Sequence, residues 1–147
     1  MKIVRKNFKE LTTQELYNIL QLRAQVFVVE QDCVYQDLDG KDQKSWHVMG
    51  IESDDLVAYT RIFAPGDYFE NASIGRVVVN PKYRGKSFGK EIMTASINSI
   101  EELFGTDKSI CISAQYYLLR FYNDLGFMQE GETYLEDGIP HIKMIYR

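Results

Sequence analysis

Between Ser73 and Lys90 the chain reads SIGRVVVNPKYRGKSFGK, and no other stretch limits its fold as strongly. Ile74 to Val79 is rich in β-branched residues, which suit a pleated and largely buried strand. Asn80-Pro81 ends that strand, because proline cannot donate to a sheet ladder. From Phe88 the apolar residues Ile92, Met93, Ile100, Leu103 and Phe104 recur near helical spacing. The turn from Arg84 to Gly89 therefore lies where the unpaired N–H groups of a helix N-terminus point outward. Arg84, Lys86 and Lys90 bring three positive charges to it, and Gly85 and Gly89 let the backbone come close to a ligand. These features describe a polyphosphate cradle. They equally describe an ordinary strand-loop-helix with a solvated basic turn.

Spacing narrows the choice of polyphosphate. Gly85 to Glu91 is one residue too short for a P-loop, Glu91 replaces the hydroxyl that would hold magnesium, and there is no G-x-G-x-x-G. A metal-free diphosphate remains. Val79-Asn80-Pro81 followed by Arg84-Gly85-Lys86-Ser87-Phe88-Gly89 resembles the acyl-CoA signature of the GCN5-related N-acetyltransferases (GNAT). The core of that signature is Gln or Arg, two residues, Gly, one residue, then Gly or Ala. Ser87 departs from it, standing where the family has its first glycine.

The length of 147 residues suits one domain, 1–147, with a single well-buried core. No apolar run approaches membrane-spanning length, so no membrane association is expected. Met1 to Phe8 has no apolar signal core, and two cysteines, Cys33 and Cys111, are too few for a disulfide framework. A reducing cytoplasm is the expected home. A net charge of −4 argues against nucleic-acid binding, and the basic residues concentrate at Lys82 to Lys90.

Met1 to Phe8 alternates as a first strand, and Thr12 or Thr13 caps a helix whose stripe is Leu16, Ile19, Leu20, Arg23 and Phe27. Arg23 interrupts the stripe as a rim residue, half of a buried ion pair, or a ligand for substrate. From Val28 to Ser45 the periodicity dissolves, and Glu30, Asp32, Asp37, Asp39 and Asp42 crowd a loop. Most of these carboxylates read as solvated; the sharper reading is that some attract a cationic amine. The ordered ligands and closing glutamate of a calcium loop are absent, so no metal is expected. Trp46 to Glu52 and Leu56 to Ala64 form a hairpin, Ser109 to Ala114 a short buried strand after the long helix, and Met128 to Leu135 with His141 to Tyr146 a closing hairpin.

Leu118, Phe121, Tyr122 and Leu125 fall on one face of a short helix that Gly126 ends. This is similar to the second GNAT hallmark, an aromatic pair followed by Gly-Phe. LQLRAQVFVVEQ (Leu20 to Gln31), YQDLDG (Tyr35 to Gly40) and EDGIPHI (Glu136 to Ile142) closely resemble the ElaA-type subgroup, over nearly the full chain.

The resemblance implies a mixed α/β fold, a mostly antiparallel central sheet with helices on both faces. It implies an N-acetyltransferase acting on acetyl-CoA and a primary amine, as a monomer or homodimer. Acyl-CoA would contact backbone at Val77, Val78 and Val79, the turn Arg84, Gly85, Lys86, Ser87, Phe88, Gly89 and Lys90, and Gln115, which stands where the family has an asparagine. Tyr122 matches the tyrosine that protonates the departing thiolate. An ammonium must lose a proton before it attacks, and Glu30, His47, His141 or a water chain could accept it, with Glu30 assigned. Arg23 to Phe27, Glu30, Asp39 and Arg61 also look like acyl-homoserine-lactone synthases, which share this fold. A non-catalytic acyl-CoA-binding sensor is the remaining alternative.

Overall fold

The computed structural model describes residues 1–147. Its strands are β1 (Lys2–Asn7), β2 (Trp46–Glu52), β3 (Asp55–Phe63), β4 (Ala72–Val79), β5 (Ile110–Gln115), β6 (Phe127–Glu136) and β7 (Ile139–Tyr146). They make one sheet in the order β1-β2-β3-β4-β5-β7-β6, with every neighbouring pair antiparallel except β4 and β5. The exception follows from the connection. Helix α2 (Phe88–Phe104) carries the chain from one end of β4 back to the start of β5, the long crossover a parallel pair needs.

Helix α1 (Thr13–Arg23) starts at Thr12, whose hydroxyl accepts from Glu15 N at 3.0 Å while Glu15 Oε1 accepts from Thr12 N at 2.8 Å. This reciprocal box satisfies two donors that the first turn leaves free. Its apolar face packs Ile19, Leu22 and Val26 on Met49, Leu56, Tyr59 and Val78 on one side of the sheet. Ile92, Met93, Ile97 and Ile100 of α2 cover the other side, against Val48, Val57, Ile62, Ile110 and Met144. Adjacent β2 residues Val48 and Met49 thus enter different cores, as strand alternation requires.

Two expectations need correction here. The α1 stripe is rotated: Ile19, Leu22, Arg23 and Val26 are buried, whereas Leu16, Leu20 and Phe27 are only half-buried. The helix also does not end near Val28. It continues as a π-helical turn, Ala24–Glu30, with Gln31 N bonded to Val26 O at 3.1 Å and Cys33 N to Val28 O at 3.1 Å. The wider turn changes the angular step per residue, so Phe27, projected at α-helical spacing, drifts off the buried face.

The sheet opens between β4 and β5. Their pairing is confined to Ala72–Ile110 and Ser73–Cys111, and beyond Ser73 the two strands have no register partners in each other. On its other side β4 pairs with β3 at Ile74–Ile62 and Gly75–Arg61, then resumes at Val78–Tyr59, leaving Arg76 and Val77 without β3 partners. Arg76 has φ +50° in this bulge. A bulge bends its strand and sharpens the twist, which carries the end of β4 away from β5.

Candidate functional site

The opening between β4 and β5 is the floor of a cleft of about 470 Å³. Ile74 to Val79 line one side and Ile112, Ser113 and Gln115 the other. The π-turn supplies Phe27 and Glu30, helix α3 (Leu119–Asp124) supplies Phe121 and Tyr122, and the β6–β7 hairpin supplies Glu136, Asp137 and His141. A second hollow of about 390 Å³ adjoins it, with Val79, Arg84, Gly89 and Phe121 common to both. Gly85, Ser87, Phe88 and Lys90 line the second.

Every residue expected to hold acyl-CoA or to move a proton, except Lys86 and His47, lines one of these two hollows. Lys86 is exposed, its ammonium 5.8 Å from the Tyr83 ring centroid. Phe88 turns its side chain into the α2 core, leaving its backbone to the hollow. His47 is fully buried under the sheet, with Nδ1 2.6 Å from the Tyr59 hydroxyl and Nε2 3.0 Å from Asp42 O. Burial pushes its pKa down, against the pull of Asp42. Away from the cleft and held at both nitrogens, it is a structural histidine and not the proton acceptor.

At the head of α2, Ser87 occupies the N-cap position with φ +64° and makes no side-chain cap, so the helix's first N–H groups keep their donors free. Ser87 thus adopts the left-handed backbone that a glycine would take. Gly89 is different. A Cβ built there meets Phe121 at 3.5 Å and Val79 at 3.6 Å, ordinary contact, so nothing in the chain itself demands glycine. A small residue facing the cleft at a helix N-terminus clears room for something from outside the chain.

Arg84 is paired here: its Nη1 donates to Glu30 Oε2 at 2.8 Å and its Nη2 to Oε1 at 3.0 Å. Gln115 and Gln31 exchange two amide hydrogen bonds of 3.2 Å across the cleft. Tyr122 is 5% exposed, its ring edge-on to Phe121 and Phe127, and none of the chain's hydrogen bonds uses its hydroxyl. Burial pushes that phenol well above its usual range, with a smaller push from Tyr117, so it holds its proton at neutral pH.

The acidic loop is not the solvated segment expected. Asp37 Oδ2 accepts from Arg23 Nε at 2.8 Å, Asp42 Oδ1 accepts from Arg23 Nη1 at 2.8 Å and from Arg61 Nη1 at 2.9 Å, and Asp39 takes both Arg61 Nη atoms. Arg76, turned by the β4 bulge, brings Nε to 2.7 Å from Asp37 Oδ1 and donates Nη2 to Asp37 O at 2.9 Å. Three carboxylates meet three guanidiniums, so the charge that was to draw a cationic substrate is neutralised within the chain. Arg76 could have been suspected, as a charge inside a central strand; nothing local marked its partners, because they come from distant elements. The same distance hid Ser113, Tyr134 and Glu136, which meet around His141.

A sequence model of the acetyltransferase (GNAT) domain matches residues 9–147. Protein ElaA of Escherichia coli strain K12 is 44% identical over 137 residues, covering 92% of this chain and 89% of that protein. A crystal structure of an acyl-CoA N-acyltransferase from Pseudomonas aeruginosa superposes with a TM-score of 0.93 at 39% identity, covering 100% of both chains. The AHL synthase LasI superposes with a TM-score of 0.77 at 14% identity over 98% of this chain and 88% of its own, a likeness of fold alone. Arg23, Asp39 and Arg61, which suggested such a synthase, are engaged with one another's partners inside the loop network.

Proposed function

We propose that this chain, which belongs to the GNAT acetyltransferase family, transfers an acetyl group from acetyl-CoA to a primary amine by direct attack. The observation that carries this reading is the parting of β4 from β5 with the unpartnered hydroxyl of Tyr122 in the cleft it creates. A ligand strand can lie where β5 has left β4, so the pantetheine arm pairs with backbone at Val77 to Val79 and Gln115 holds it from the β5 side. The diphosphate takes the free N–H groups of α2 and the Arg84 guanidinium, with Lys90 adding charge beside Gly89.

Chemistry follows from where protons are held. As the nitrogen attacks the thioester carbon, negative charge grows on the carbonyl oxygen, and a free backbone N–H of the bulged strand polarises it. The C–S bond breaks and Tyr122, protonated throughout the neutral range, gives its proton to the sulfur. Water exclusion comes from Phe27, Phe121 and the aliphatic face of β4, which line the same cleft.

The test is Tyr122→Phe, which deletes the hydroxyl and keeps the ring packed on Phe121 and Phe127. Calorimetry should give an unchanged CoA Kd, and release of free CoA thiol against a panel of amines should show kcat lower by about 10²- to 10⁴-fold. Full activity with chemistry rate-limiting would return Tyr122 to the core. Absence of CoA binding by the unaltered protein would end the whole reading.

A further inference from the structure

On the hairpin side of the cleft four polar side chains from three strands form one connected group. Ser113 of β5 has its Oγ 2.5 Å from the Tyr134 hydroxyl and donates to Glu136 Oε1 at 3.2 Å, both partners on β6. His141 of β7 lies opposite Tyr134 in register, with the rings stacked at 6.2 Å, and its Nε2 is 3.2 Å from Glu136 Oε2. His141 Nδ1 is 2.7 Å from Ile139 O. A carbonyl oxygen can only accept, so Nδ1 carries the hydrogen and the lone pair of the neutral ring lies on Nε2.

That lone pair is unusually placed. The His141 side chain is 8% exposed and lines the cleft, whereas the Glu136 side chain beside it is 46% exposed and reaches water. Nε2 faces the Glu136 carboxylate at 3.2 Å, and that carboxylate connects it to solvent. The titratable groups facing His141 are Glu136 and Tyr134 of β6; β5 presents Gln115, its register partner, and the uncharged Ser113.

We propose that Glu136 and His141 form the acceptor subsite for a primary alkylammonium, with Glu136 docking the cation and His141 Nε2 taking the proton that must leave before attack. This rests on the acyl-transfer reading above. The steps balance. One N–H bond of the ammonium breaks to protonate Nε2, and the freed lone pair forms the C–N bond. A second nitrogen proton is lost as the C–S bond breaks and makes good the one that Tyr122 gives to the thiolate. The proton on His141 passes by Glu136 to water, so one proton is released per turnover. Neutral nucleophiles lack the charge that Glu136 pairs with, so alcohols are not acceptors for this subsite.

The experiment uses acetyl-CoA with 2-phenylethylamine, spermidine and a lysine-bearing peptide as probes, reading kcat/KM from pH 6 to 10 by thiol release. His141→Asn keeps a donor where Nδ1–H meets Ile139 O and removes the basic nitrogen. It should lower kcat/KM by about 10²- to 10⁴-fold near neutrality, with the loss shrinking as pH approaches the amine's own pKa near 10. Glu136→Gln should raise the KM for amine about tenfold or more. Neither should alter the Kd for CoA. A wild-type pH profile in His141→Asn overturns the proposal, as does transfer to an alcohol as good as to the amines. Should His141→Asn fail to fold, an unchanged amine KM in Glu136→Gln overturns it alone. Loss of CoA binding by the wild-type protein would instead sink the acyl-transfer reading.

Discussion

Ser87 holds a backbone angle of φ +64° with nothing bonded to its hydroxyl as a cap. An L-residue there costs about 1–2 kcal/mol relative to a right-handed conformation, because Cβ crowds the following carbonyl. Ser87→Gly removes that crowding and adds unfolded-state entropy of about 0.4–1 kcal/mol. The difference favours the variant by up to about 1.6 kcal/mol. A urea midpoint should rise with the slope unchanged, and a lower midpoint would show that the serine side chain contributes a contact of its own. The position was legible as the place of the family's glycine. Its backbone angle was not, since a serine gives no local sign of a left-handed conformation.

At the scale of elements, the π-turn after α1 and the turn before α2 are clasped by Glu30 and Arg84. Both side chains are over two-fifths exposed, so the clasp contributes at most about 1 kcal/mol. A diphosphate that needs Arg84 must displace Glu30. Glu30→Gln should therefore tighten CoA about two- to fivefold by calorimetry, more at low salt; weaker binding would mean that Glu30 orients Arg84 for the ligand rather than withholding it. The elements themselves were largely readable. β1, β2, β3, α2 and the last two strands follow from period and breakers, and Thr12 or Thr13 marked the start of α1. The π-turn and the β4 bulge escaped because each inserts a residue into a regular pattern without changing its composition, and the bulge is what separates β4 from β5.

For the molecule as a whole, the loop from Gln31 to Ser45 joins α1 to the sheet through the arginine-aspartate network. Burial raises the carboxyls of Asp39 and Asp42, but the hydrogen bonds and charges of Arg61 and Arg23 outweigh it and hold both below the usual carboxylate range. A carboxyl lowered in the folded state lends stability above its unfolded pKa of about 3.9 and loses it as pH falls further. Chemical stability should thus be level in pH from neutrality to about 5 and decline below about 4; a decline beginning near pH 6.5 would point to histidine instead. Cys33 Sγ, 3.3 Å from Asp137 O, ties the same segment to the β6–β7 hairpin. Apart from the short 3₁₀ turn Asp42–Lys44 the segment has no regular structure, and its path is dictated by guanidiniums rooted in α1, β3 and β4. It is consequently not a transplantable unit. Moved onto a related scaffold without Arg23, Arg61 and Arg76, it would bring three uncompensated carboxylates and no shape, so any exchange of acceptor-side walls between such proteins has to carry residues that the loop itself does not contain.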